Sequence, residues 1–205
     1  MVRSLWTAAT GMNGQQSNID AISNNLSNVN TTGYKQQRVE FEDLVYQNVK
    51  LAGTPATEDT VTPVGIQQGT GVKVGATQRI MNQGSLQNTG VDTDLAIVGE
   101  GFFRVQKYDG SYAYTRDGSF KVDSAGQLVT NNGLRVIPEI ILPEGYDVST
   151  LNFTQTGLVS VKLNGENDPV EVGQLELYRF PNKVGLQADG DNLFKVTAAS
   201  GEAIA

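Results

Sequence analysis

The chain has 205 residues, 39% of them hydrophobic, with 23 glycines, 15 basic and 22 acidic residues and a formal charge of −7. Length and apolar content suffice for one large or two small domains with real cores, while the acidic balance argues against nucleic acid or an anionic membrane surface as partner. Without cysteine or histidine there are no thiol nucleophiles, disulfides, imidazole bases or Cys/His zinc sites.

The start, "MVRSLWTAATGMNG", has one arginine but no continuous apolar region, so it makes a poor secretory signal, and no run is long enough to span a bilayer. On the residues alone a cytoplasmic location is expected, unless another export route exists.

From Leu5 to Val29 the apolar residues follow a seven-residue repeat. Leu5, Met12, Ile19 and Leu26 share one register; Ala8, Ile22 and Val29 share the other, with Gln15 in the remaining slot. A period of 3.5 sustained this long predicts a long helix with an a/d seam of coiled-coil type, ending near Gly33. Burying the seven seam residues is worth roughly 10–15 kcal/mol, at about 1.5–3 kcal/mol for each full side chain. Against helicity stand the asparagines between Asn13 and Asn30 together with Gly11 and Gly14, a deficit of about 5 kcal/mol relative to alanine. The helix is therefore expected to order only against a partner, and no later segment offers a matching heptad face.

Between Ser4 and Tyr34 the only charged side chain is Asp20. In an assembly of identical helices a charge meets its own image, which is costly in a desolvated interface. Asn, Gln, Ser and Thr donate and accept together, so copies can satisfy one another. The plainer reading is a solvated helix whose asparagines are incidental. Trp6 suits either an interface anchor or simple packing beside Leu5.

Residues 34–77 open with "YKQQRVEFEDLVYQ" and pass into a Pro-, Thr- and Gly-rich stretch without helical period, which predicts an extended connector. Within it "GTGVKVG" (Gly69 to Gly75) lacks the spacing and following helix of a phosphate-binding loop, so its glycines read as turn or bulge residues. From about Gln78 onward short strands alternate with turn signals at Asp109-Gly110, Asp117-Gly118 and Asn132-Gly133, predicting an antiparallel β domain over 78–205 with a second lobe from about 145 to 185. In "LVSVKL" Val159, Val161 and Leu163 share a face. In "GEGFF" one of Phe102 and Phe103 is expected in the core.

Candidate chemistry is thin. "DTD" (Asp92, Asp94) and "DGD" (Asp189, Asp191) lack the glycine and terminal glutamate of a calcium loop. A carboxylate pair for glycoside hydrolysis finds little support beside one tryptophan and no histidine. No catalytic, cofactor or metal residue is nominated, and the fold expected is mainly β with a long N-terminal α-helix.

"SLWTAATGMNGQQSNIDAISNNLSNVNTTGYKQQRVEFEDL" at Ser4 to Leu44 resembles the N-terminal segment of bacterial flagellar axial proteins, the rod and hook family. Blocks further on, "GTGVKVGATQRIMNQGSLQNTGVDTDLAIVGEGFFRV", "YTRDGSFKVDSAGQLVTNNGLRV" and "FPNKVGLQADGDNLFKVTAASG", are similar to its distal-rod members in the expected order. The resemblance implies a structural subunit without catalysis that polymerises helically into a hollow, rigid drive shaft. It implies export through the flagellar type III apparatus without a cleaved signal, and a periplasmic rod partnered by proximal rod, hook and surrounding ring proteins. Members of the family carry a further C-terminal amphipathic helix whose pattern does not occur before Ala205. By resemblance Leu5, Trp6, Ala8, Met12, Ile19, Ile22, Asn24, Asn25, Leu26, Asn28 and Val29 would serve subunit packing, and 51–71 would contact neighbours and limit bending.

Overall fold

The computed structural model describes residues 2–53, 55–57, 60–61, 63–146, 150–163 and 168–205. Among these no helix is long and apolar enough to cross a membrane. The chain divides into two compact units, 1–29 with 36–80, and 30–35 with 81–205.

The first unit holds the helix α1 (Val2–Ser27) and six strands: β1 (Gln37–Asp43), β2 (Gln47–Lys50), β3 (Pro55–Thr57), β4 (Thr60–Val61), β5 (Ile66–Gln68) and β6 (Val72–Arg79). Strands pair antiparallel as β1 with β6, β2 with β5 and β3 with β4. The stretch expected as a connector carries three antiparallel strand pairs separated by unpaired segments; Thr54, Glu58, Asp59 and Thr62 lie outside the described residues. The β1–β6 ladder shifts register between Glu40 and Phe41, leaving Gly75 as the bulged residue of "GTGVKVG".

The second unit is a seven-stranded antiparallel sheet beside a three-stranded one. Its strands are β7 (Phe103–Gln106), β8 (Tyr112–Thr115), β9 (Lys121–Val122), β10 (Leu128–Val129), β11 (Arg135–Ile137), β12 (Asn152–Phe153), β13 (Leu158–Val161), β14 (Val170–Gln174), β15 (Gln187–Gly190) and β16 (Leu193–Lys195). The orders are β15-β16-β8-β7-β11-β10-β9 and β12-β13-β14.

Strand alternation sends successive residues to opposite faces, and here both faces of the large sheet are covered. Phe103, Ala113 and Leu193 enter a core with Val105, Phe120 and Val136, whereas Phe102, Tyr114 and Phe194 enter a second core with Tyr178 and Phe180. Both phenylalanines of "GEGFF" are therefore buried, where one was expected, because the segment around Tyr178 and Phe180 roofs the far face. Edge-to-face rings fill that roof, with Tyr114 and Phe180 centroids 4.8 Å apart. Val159 and Val161 are fully buried on one face of β13. Val159 and Leu175 belong to the same core as Phe103, so the segment expected as a second lobe shares the main core; 147–149 and 164–167 lie outside the described residues.

The tripeptide Arg116-Asp117-Gly118 ties three loops together. Asp117 Oδ1 accepts from Thr32 Oγ1 at 2.9 Å and from Ser119 N and Oγ at 3.1 and 2.7 Å. Asn192 Nδ2 donates to Thr32 O at 3.0 Å and to Asp117 Oδ2 at 3.3 Å, so residues 30–35 are strapped onto this unit. Gly33 belongs to this strap and is no helix stop: a Cβ there would lie 2.7 Å from Asp117 N. Asp117-Gly118 is likewise not a hairpin turn, and a Cβ at Gly118 would fall 1.7 Å from Leu95 O.

Candidate assembly surface

Helix α1 is amphipathic in an inverted sense. The stripe facing the β1–β6 ribbon is small and mostly polar: the buried or half-buried positions of the helix are Ala9, Thr10, Gly11, Gly14, Ser17, Asn18, Ala21 and Asn25. Gly14 is the one buried residue of the helix, and a Cβ there would meet Phe41 at 3.2 Å and Val72 at 3.6 Å. Thr10 Oγ1 donates to Thr7 O at 2.8 Å and accepts from Val72 N at 3.4 Å. The helix thus has an intrachain partner, which the heptad reading missed because a ribbon needs small residues opposite it, not a seam. It is formed over Val2–Ser27, where the sequence predicts order only against an outside partner.

The seam points away from that ribbon. Leu5, Trp6 and Met12 are 70%, 68% and 66% exposed, Ile19 and Ile22 55% and 56%, and Leu26 and Val29 each 71%. Ala8 is exposed as well. Isolated exposed hydrophobics are ordinary, but here they recur along one side of a single helix. The helix ends at Ser27, earlier than the expected Gly33, as Val29 N turns back to Leu26 O at 3.3 Å; Asn28 and Val29 occupy the turn that follows.

The polar face is satisfied locally. Gln16 Nε2 donates to Asp20 Oδ1 at 2.9 Å, Ser17 Oγ to Asn13 O at 3.1 Å and Ser27 Oγ to Ser23 O at 2.9 Å. Asn28 Nδ2 donates to Asn24 O at 2.9 Å. Asn25 differs from its neighbours: its Nδ2 donates to Gln37 O and its Oδ1 accepts from Gln37 N, both at 2.8 Å. One amide side chain extends the pairing at the start of β1. Nominated for packing between copies, Asn25 is instead committed inside the chain, and spacing alone gave no signal of that.

The β2–β5 ribbon adds a second apolar surface, with Val49 62%, Leu51 60% and Ile66 57% exposed. Of the acidic pairs, Asp189 is bonded to Lys107 Nζ, and Asp191 and Asn192 adopt φ of 50° and 59° at the β15–β16 turn. Among the described residues no group of three or more acidic side chains is placed to hold a metal ion.

A single N-terminal helix followed by antiparallel β sheets is consistent with the flagellar rod and hook family, and the family models agree. Residues 5–35 match the family model described as flagella basal body rod protein, and 96–161 match that of the flagellar hook protein FlgE/F/G D1 domain. The chain is 56% identical over its whole length to the flagellar basal-body rod protein FlgG of Borreliella burgdorferi, covering 77% of that protein. It is 48% identical to the FlgG of Buchnera aphidicola subsp. Acyrthosiphon pisum, with 100% of this chain and 78% of that protein covered. Similarity to the Helicobacter pylori flagellar hook protein FlgE is 37% over 92% of this chain but reaches only 26% of that protein. The chain belongs to the FlgG family of flagellar basal-body rod proteins. It is a structural subunit of the distal rod, in a family of structural proteins and not of enzymes.

Proposed function

We propose that this subunit polymerises helically through the outward seam of α1, forming the wall of a hollow, rigid shaft that transmits torque and conducts exported subunits. The observation that carries the reading is the contiguous apolar stripe from Leu5 to Val29, exposed although the opposite face of the same helix is already docked on its own ribbon. Two faces with separate duties let the helix stay attached to its β unit while joining copies edge to edge, in coiled-coil fashion. Scarcity of charge on α1 supports this, because a charge would meet its own image in a ring of copies.

The stretch 51–71, with Leu51, Val64 and Ile66 exposed, would contact neighbours and limit bending. Proximal rod and hook proteins would join the ends, ring proteins would surround the shaft, and delivery to the periplasm would run through the flagellar export apparatus without a cleaved signal. Cryo-electron microscopy of isolated basal bodies tests the reading. Density for this chain in the distal rod, with α1 lining the inner tube, supports it; α1 seams facing solvent in the assembled rod would refute it. A curved, compressible polymer of the purified chain would favour a hook role instead.

A further inference from the structure

The second unit contains a cleft of about 300 Å³ in which three cations, Lys35, Arg116 and Lys183, face one carboxylate, Glu100. This is a local positive surplus in a chain whose net charge is −7. Lys35 is 7% exposed, and its Nζ donates to Asn82 O at 2.7 Å. Arg116 donates to Gly101 O at 2.8 Å and to Gln83 Oε1 at 2.6 Å, and also to the carbonyls of Ile97 and Gly99. Carbonyl and amide oxygens solvate a guanidinium but do not neutralise it. Glu100, with its side chain 63% exposed, is engaged by Lys183 at the rim. Burial pushes the Lys35 ammonium below the usual lysine range, with the Arg116 charge adding to it, and burial lowers Arg116 as well. Both cations are held at a cost that a further anion would offset.

We propose that this cleft is a carboxylate-binding site, with Lys35, Arg116 and Lys183 supplying the charge and Phe102 and Met81 the apolar wall for the hydrocarbon stem. That wall distinguishes a carboxylate on a carbon chain from a bare oxyanion such as phosphate. The carboxylate has two sources: an Asp or Glu side chain of a neighbouring copy, or a short dicarboxylate from solution. Only the first source rests on the polymer reading given above.

The test uses the soluble chain carrying isotopically labelled lysine side chains, titrated with succinate in place of chloride at constant ionic strength. The Lys35 and Lys183 resonances are expected to shift and saturate, while that of exposed Lys50 stays put. An equal response to inorganic phosphate, or a uniform shift of all lysines, or none, overturns the proposal. Assembly then separates the sources. If a neighbour's carboxylate fills the cleft, succinate raises the critical concentration of the wild-type chain several-fold and leaves that of Lys35→Met unchanged. If succinate binds without affecting assembly, the ligand is the free dicarboxylate. A chain that never assembles refutes the polymer reading, and the lysine shifts still decide the cleft.

Discussion

Asn25 and Gln37 exchange two hydrogen bonds through one side chain, each 2.8 Å long, fastening the last turns of α1 to the first residue of β1. Replacing Asn25 by leucine removes both partners from the Gln37 backbone at a half-buried site. The expected loss is about 1–3 kcal/mol of stability, read from urea unfolding. Asn25→Asp keeps the acceptor for Gln37 N–H but cannot donate to Gln37 O, so its loss is expected to be smaller than that of the leucine variant.

Two glycines in one helix predict different outcomes. A Cβ at Gly11 meets nothing within 4 Å, so Gly11→Ala is expected to stabilise the soluble chain by about 1 kcal/mol through helix propensity alone. At Gly14 the same methyl presses on the Phe41 ring at 3.2 Å, and any gain in propensity is offset by displacing the ribbon. Thermal melts compared with wild type should show a clear gain for Gly11→Ala and a smaller gain or none for Gly14→Ala.

Gly118→Ala should be among the most damaging single changes in the second unit. The added carbon would lie 1.7 Å from the Leu95 carbonyl oxygen, which is backbone and cannot rotate away. A loss on the order of 4 kcal/mol or more is expected, in the range reserved for core clashes and strain. Chemical denaturation reads it directly.

Tyr178 makes the alkaline limb of stability informative. Burial, followed by its hydrogen bond to Glu176, pushes the phenol up to about 12 from an ordinary value of 10.0. The folded chain therefore holds the proton more tightly than the unfolded one, so this contribution is complete below pH 10 and is lost as pH rises through about 12. Wild type should lose melting temperature across that window more steeply than Tyr178→Phe. Parallel curves would remove Tyr178 from the account.

Much of this architecture was legible because period and composition report burial. The apolar repeat found the helix α1, although not the face it buries, and two-residue alternation placed Val159 and Val161 in the core. What escaped was contact across long sequence separation. The pairing of Gln37–Asp43 with Val72–Arg79 hides in short alternating runs, "RVEF" and "VKVG", that a Pro- and Gly-rich context masks. The docking stripe on α1 is built from Thr, Gly, Ser and Asn, residues that lower any hydrophobic signal. The strap at Thr32 depends on Asp117 and Asn192, far along the chain, so local reading took Gly33 for a helix stop.

Met12→Lys separates folding from assembly. The side chain is 66% exposed, so the soluble chain should keep its stability within about 0.5 kcal/mol. Polymerisation should fail, because each copy would present a charge to its own image across the seam. Sedimentation of wild-type and variant chains under assembling conditions checks this.

The central claim, that the outward face of α1 is buried when copies join, is most directly tested by moving the chain's single tryptophan onto the seam, as Trp6→Phe with Met12→Trp, at a position 66% exposed in the isolated chain. On assembly its fluorescence should shift to shorter wavelength and its quenching by iodide should fall several-fold. Unchanged emission and quenching in sedimented polymer would contradict the claim.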